Sequence, residues 1–204
     1  MLDGRLITEM RTAAGSAAAA RACAPASPDV VTIMGSGVQA RAHVAALAAV
    51  RSWRELRLWS RTEATGRALA EALGATFIAD AEAAVRGADI VACTTSATTP
   101  ILEGAWLKPG SFVASVGWNG ADGRELDNAA MANVVLVEST EAAWNQAGDV
   151  RASGCEIFAE VGDVYAGVKT VPADATVIYD SVGIAIMDVA AAQLVYERWL
   201  QASR

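Results

Sequence analysis

Val30-Val31-Thr32-Ile33-Met34-Gly35-Ser36-Gly37-Val38-Gln39-Ala40 runs a β-branched, apolar stretch straight into the pattern Gly-x-Gly-x-x-Ala. The first five residues read as a buried strand, and Val38 to Val50 reads as the helix that follows. A lone glycine pattern is weak, but one between a strand and a helix has a mechanism. Gly35 permits the tight turn, Gly37 lets a pyrophosphate approach the backbone, and Ala40 lets helix and strand pack closely. The opening turn of the helix, from Val38 and Gln39 on, offers unpaired N–H groups and a partial positive charge to phosphates. The bland alternative is a plain tight turn in a non-binding α/β domain.

Outward from this stretch, short apolar runs alternate with helical segments. Strands are expected at Leu56–Trp59, Thr76–Ile78, Ile90–Cys93, Phe112–Val116 and Val134–Val137, with helices at 63–73 and 82–86. Six strands separated mostly by helices imply an α/β fold with a doubly wound parallel sheet, the Rossmann type. The second strand ends in Ser60-Arg61-Thr62. An NAD binder carries a carboxylate there for the ribose 2′-hydroxyl. A guanidinium between two hydroxyls suits a 2′-phosphate instead, so NADP(H) is preferred over NAD(H). Thr94-Thr95-Ser96 and Val116-Gly117-Trp118-Asn119 follow the fourth and fifth strands, at the carboxyl ends where open α/β sheets bind ligands. The hydroxyls of the first group are equally consistent with turn chemistry.

Flanking segments complete the plan. Residues 1–27 hold an Ala-rich helix, with Thr8 a possible cap, ended by Pro25 and Pro28. Residues 28–145 form the dinucleotide-binding domain. Residues 146–204 hold a loop-helix region over 154–167 and a long apolar helix from Ser181 to Leu200. That helix needs partners on more than one side. Composition narrows the function. With 53% hydrophobic and 19% charged residues, the chain can build a core. The net charge of −7, without a basic cluster, argues against nucleic acid. No apolar run is long enough to span a bilayer, and the polar start lacks a signal pattern, so a cytoplasmic protein is expected. The three cysteines have no metal-ligand spacing and read as reduced thiols, mostly buried, and no metal site is expected around the single histidine, His43. His43 reads as a helix-surface or packing residue. Glu156 and Glu160 share helical spacing and read as ordering the edge of a cleft. The six tryptophans read mostly as packing residues, with Trp118 shaping a substrate pocket.

Several segments together resemble the ornithine cyclodeaminase/mu-crystallin family. They are Asp3-Gly4 with Thr8 and Arg11-Thr12-Ala13-Ala14, the glycine turn, Trp59-Ser60-Arg61-Thr62, Arg86 to Val91, Trp106-Leu107-Lys108-Pro109-Gly110, and Arg124-Glu125-Leu126-Asp127. Gly148-Asp149-Val150 through Gly162 leans toward the ketimine-reductase side, and Ser181-Val182-Gly183-Ile184-Ala185 with Leu194-Val195-Tyr196 closes the match. The resemblance implies a Rossmann domain, a second substrate and dimerisation domain, and a nicotinamide cofactor. It implies hydride transfer to a cyclic ketimine or imino acid, with a homodimer as the assembly. Arg11 matches the family arginine that grips the substrate carboxylate, and Ser181-Val182 the residues beside the nicotinamide.

Two departures qualify this. Members carry a further stretch before the segment that begins here at Met1, with a catalytic lysine and a second arginine; neither Lys108 nor Lys169 matches that lysine. The cyclodeaminases carry an aspartate where Asn119 stands, and an amide cannot take a proton at neutral pH. Ornithine cyclodeamination is therefore disfavoured, with Asp122 a fallback that reads as a solvated loop residue. The other alternative is a non-catalytic NADP(H)-binding module. Lacking the preceding stretch, the helices at 8–24 and 181–200 are expected to expose an apolar patch.

Overall fold

The computed structural model describes residues 3–117 and 122–203. Its framework alternates helix and strand from the start: α1 (Gly4–Cys23), β1 (Val30–Met34), α2 (Val38–Ala48), β2 (Glu55–Trp59), α3 (Glu63–Leu73), β3 (Thr76–Phe77), α4 (Ala81–Val85), β4 (Ile90–Cys93) and β5 (Phe112–Ser115). The second half adds α5 (Asn128–Met131), β6 (Val134–Val137), α6 (Thr140–Gln146), α7 (Gly148–Ser153), β7 (Ile157–Glu160), α8 (Val161–Tyr165), β8 (Val177–Asp180) and α9 (Ala185–Ala202). The strands form one parallel sheet in the order β3-β2-β1-β4-β5-β8-β6-β7. The order reverses between β1 and β4, which opens a crevice at their carboxyl ends. Helices cover both faces, so β1, β4, β5 and β8 are buried throughout.

The sheet corrects the sequence reading in its second half. Among the described residues it has eight strands, not six. Ile157–Glu160 is a strand where loop and helix were expected, so Glu160 lies on an extended backbone, and its carboxylate accepts the Thr140 amide at 2.7 Å. Val177–Asp180 is a strand inserted between β5 and β6, and the last helix begins at Ala185 rather than Ser181. The cap of α1 is Asp3, whose carboxylate accepts the Arg5 and Leu6 amides, while Thr8 lies inside the helix.

Helix α1 packs on α2, and its small residues Ala13, Ser16, Ala17 and Ala20 are all buried. His43 is sealed in this contact. Its Nδ1–H donates to the Gln39 carbonyl at 2.8 Å, and Nε2 accepts from the Ser16 hydroxyl at 2.9 Å. Burial lowers its pKa to about 4, so it packs as a neutral ring. Arg51 closes the far end of α1, donating to the carbonyls of Ala20, Arg21, Ala24 and Pro25.

The three cysteines are free thiols; Cys93 is buried, and Cys23 and Cys155 only half-buried. Trp53, Trp59 and Trp106 pack against the core, whereas Trp144 and Trp199 are exposed, so tryptophan packs less here than its size leads one to expect.

Candidate functional site

The turn after β1 is built for close approach. Gly35 has φ +127°, and a Cβ there would stand 2.6 Å from the Thr94 hydroxyl of the neighbouring strand end. Gly37 caps α2 without a side-chain hydrogen bond, and a Cβ on it would meet nothing within 4 Å. The turn is thus tight on its protein side and open on the other. Ser36 ties the turn to the next strand end, its hydroxyl lying 2.9 Å from that of Ser60 and 2.8 Å from that of Thr65.

A cleft of about 580 Å³ opens here. It gathers Gly35, Gly37, Val38 and Gln39 from the turn, Ser60, Arg61 and Thr62 from the end of β2, and Thr94, Thr95 and Ser96 from the end of β4. Val116 and Gly117 follow β5, Ser181 and Val182 follow β8, and Arg11 reaches in from α1. Asn119 and Trp118 lie outside the described residues. Asp122 is exposed. Arg61 and Thr62 are exposed at the rim, and Ser60 is buried beneath them.

Arg11 is held on two sides. Its Nε donates to Asp188 Oδ1 at 3.2 Å, and its guanidinium occupies the space that a Cβ on Gly183 would need. Gly183, at φ +75°, is therefore required by conformation and by contact. Ser181 donates to Glu138, which also accepts from Tyr179 at 3.1 Å.

Beneath the cleft lies a buried acidic layer that sequence reasoning did not single out. Glu125 Oε1 accepts the Thr95 amide and hydroxyl, both at 2.6 Å, and Oε2 accepts the Gly117 amide at 2.8 Å. Asp149 accepts the amides of Glu125 and Leu126 at 3.0 and 2.9 Å. Burial, opposed by the bonds from Thr95 and Gly117, pushes the Glu125 carboxyl up to about 7. Burial likewise raises Asp149 and, more strongly, Asp180, whose Oδ2 has no hydrogen-bond partner. The signal for Glu125 and Asp149 was only their place in resembling segments. Gly183 likewise stood in a resembling segment, and Asp188 carried no signal. The described residues hold no cluster of three metal-ligating side chains and no helix long and apolar enough to cross a membrane.

The family model for the ornithine cyclodeaminase/mu-crystallin family matches residues 1–203. The chain is 43% identical over 202 residues to the "Ketimine reductase mu-crystallin" of Macropus fuliginosus, covering 98% of this chain and 64% of that relative. It thus spans less than two thirds of that protein. Among solved structures, Thermococcus litoralis Delta(1)-pyrroline-2-carboxylate reductase in complex with NADH and L-proline superposes with a TM-score of 0.91 at 31% identity, over 98% of this chain and 67% of that one. An archaeal alanine dehydrogenase dimer with bound NAD gives 0.88 at 28% identity, over 97% and 65%. A match across 203 of the 204 residues is decisive, and the chain belongs to the ornithine cyclodeaminase/mu-crystallin family.

Proposed function

We propose that the cleft binds a nicotinamide dinucleotide, NADP(H) in preference to NAD(H), and that the whole protein transfers hydride to a cyclic ketimine or imino acid. The observation that carries the reading is the rim at the end of β2. There Arg61 stands with Ser60 and Thr62, and no carboxylate, next to the glycine turn. The cleft fits the ligand. The open space at Gly37 and the uncapped first turn of α2 suit a pyrophosphate. Arg61 suits a 2′-phosphate. Thr94, Thr95, Ser96, Val116, Gly117, Ser181 and Val182 would border the nicotinamide end, and Arg11 would take the substrate carboxylate.

The bound nicotinamide would supply the hydride, and the chain's own residues would orient the reactants and exclude water. The relatives named for ketimine and pyrroline-2-carboxylate reduction support a cyclic imine substrate. Solved complexes with NADH and NAD support the nicotinamide class without bearing on the 2′-phosphate. In this reading residues 28–145 carry the dinucleotide, 1–27 and 146–204 belong with a substrate and dimerisation region, and two copies pair through the exposed face of α1 and α9.

A second reading, binding without turnover by residues 1–204 taken alone, is favoured by one observation. Both lysines are engaged away from the cleft, Lys108 with Asp89 at 2.5 Å and Lys169 over the Phe158 ring at 5.7 Å. Titrating the chain with NADPH and NADH by fluorescence tests the first step. Tight NADPH and weak NADH binding is expected; equal affinities overturn the preference, and binding of neither overturns the cofactor reading. Consumption of NADPH with Δ1-pyrroline-2-carboxylate then separates reductase from binding module.

A further inference from the structure

Under the cleft one hydroxyl stands between two acids. Ser115 Oγ lies 3.0 Å from Glu125 Oε2 and 3.1 Å from Asp149 Oδ2. A hydroxyl has a single proton to donate. It cannot satisfy two ionised carboxylates in this buried layer, so one of the acids holds a second proton. The other oxygen of Asp149 accepts two backbone amides and faces Arg124 Nε at 4.0 Å, an environment that favours the ionised form. Glu125 also accepts two amides and a hydroxyl, so the difference is Arg124, which pairs with Asp149 and leaves the extra proton on Glu125. That proton runs from Glu125 Oε2 to Ser115 Oγ, and the Ser115 proton runs on to Asp149 Oδ2.

Glu125 does not line the cleft, but the groups it holds do. Thr95 ends the β4 wall and Gly117 the β5 wall, and a Cβ on Gly117 would collide with the Glu125 carboxyl. With the proton gone, Glu125 is an anion toward the Thr95 amide, the Thr95 hydroxyl and the Gly117 amide, and the single Ser115 proton is shared between it and Asp149. With the proton present, three acceptor sites remain for the three wall donors, but the bonds lose their charge assistance and both walls are held less firmly.

Resting on the reading that the cleft takes a nicotinamide dinucleotide, we propose that Glu125 is a positioning residue whose deprotonation locks the Thr95 and Gly117 walls onto the cofactor, so that binding releases a proton to solvent. Other groups face this acid from each packed element. Cys93 on β4 is a thiol raised by burial and by Glu125 itself, so it stays neutral. Asp149 stands on α7 and Arg124 on the adjoining segment. Asp180 on β8, with Glu138 beyond it, adds negative charge or a further proton to the layer. Among the described residues, the cation beside this layer is Arg124, which faces Asp149. The position of Glu125 at about 7 puts the exchange in the neutral range.

Calorimetric titration with NADH, in two buffers of different ionisation enthalpy, counts the proton. NADH carries no phosphomonoester to titrate on its own account. If it binds too weakly, NADPH serves, and the difference between wild type and Glu125→Gln removes the 2′-phosphate's contribution. Release of about half a proton per cofactor is expected near pH 7, fading at higher pH, with affinity falling up to about tenfold per pH unit below it. Glu125→Gln, with its fold checked by circular dichroism, should bind more weakly at pH 8 and show neither proton release nor pH slope. Should that variant not fold, the wild-type count and its midpoint decide. Cofactor binding without proton release at pH 6 and 7, or release that persists in folded Glu125→Gln, overturns this inference and leaves the cofactor reading intact. Failure of both dinucleotides to bind at any pH overturns the cofactor reading itself.

Discussion

Arg61 is exposed at the end of β2, and the donors around it are already arranged. The Ser60 hydroxyl bonds Ser36 at 2.9 Å and accepts the Thr62 amide at 3.3 Å, which fixes the turn on which the guanidinium stands. A charge-assisted bond to a phosphate is worth roughly ten- to a hundredfold in affinity. Arg61→Ala should therefore weaken NADPH by that factor and leave NADH within about threefold. Dissociation constants measured at one fixed ionic strength check this, because exposed charges are screened. Equal weakening of both ligands would mean that Arg61 acts only through its general field. This rim and the glycine turn were legible because each is a local signal, a few residues in a row at the end of a strand. Glu125 was not legible. Its partners Thr95, Ser115 and Asp149 lie 30, 10 and 24 positions away, and only the sheet brings them together.

At the scale of elements, one buried carboxylate ties three pieces together. Asp89, just before β4, accepts the amides of Asp29 and Val30 at the start of β1, at 2.8 and 3.0 Å, and the Lys108 ammonium ahead of β5. Burial alone would raise its pKa; Lys108 and the two amides outweigh that and hold it below the ordinary carboxylate value. Since the folded-state value is depressed, the stabilisation is present above the ordinary carboxylate range and is lost as pH falls through the folded value. Asp89→Asn turns a donor toward Lys108 and should cost roughly 1–3 kcal/mol at pH 7. Denaturant unfolding at pH 7 and below pH 4 should show the gap to wild type closing in acid; a gap that stays constant would assign the loss to packing. The early strands were readable because each sits between a turn signal and a helix. β7 and β8 escaped because their short apolar runs end in a carboxylate, Glu160 and Asp180, and lack the continuous apolar character of β4 and β6. β8 also enters between β5 and β6 from the end of the chain, a pairing that no local pattern announces.

For the whole molecule, the apolar surface is distributed unevenly. None of the 18 residues of α9 is buried, and Ile186, Val189, Leu194, Tyr196 and Trp199 are each more than half exposed. Leu6 and Met10 of α1 are similarly bare, at 51% and 62%. Tyr196 and Trp199 stack on each other, 6.1 Å between ring centroids. A soluble monomer rarely leaves so continuous an apolar face in water. The helix is attached mainly along α1, by the Arg11–Asp188 pair and by the contact of Met187 with Gly15. A covering partner would thus press on the helix that holds Arg11 in the cleft. The proposed pairing of two copies predicts concentration-dependent self-association in sedimentation velocity. Leu194→Asp with Trp199→Asp should shift the chain toward monomer by several kcal/mol of lost apolar burial, at roughly 1.5–3 kcal/mol per large side chain. A wild-type chain that sediments as a monomer at all concentrations and binds no hydrophobic dye would show that the face does not pair copies. A monomer that does bind the dye would leave the face exposed and assign it to a partner other than itself.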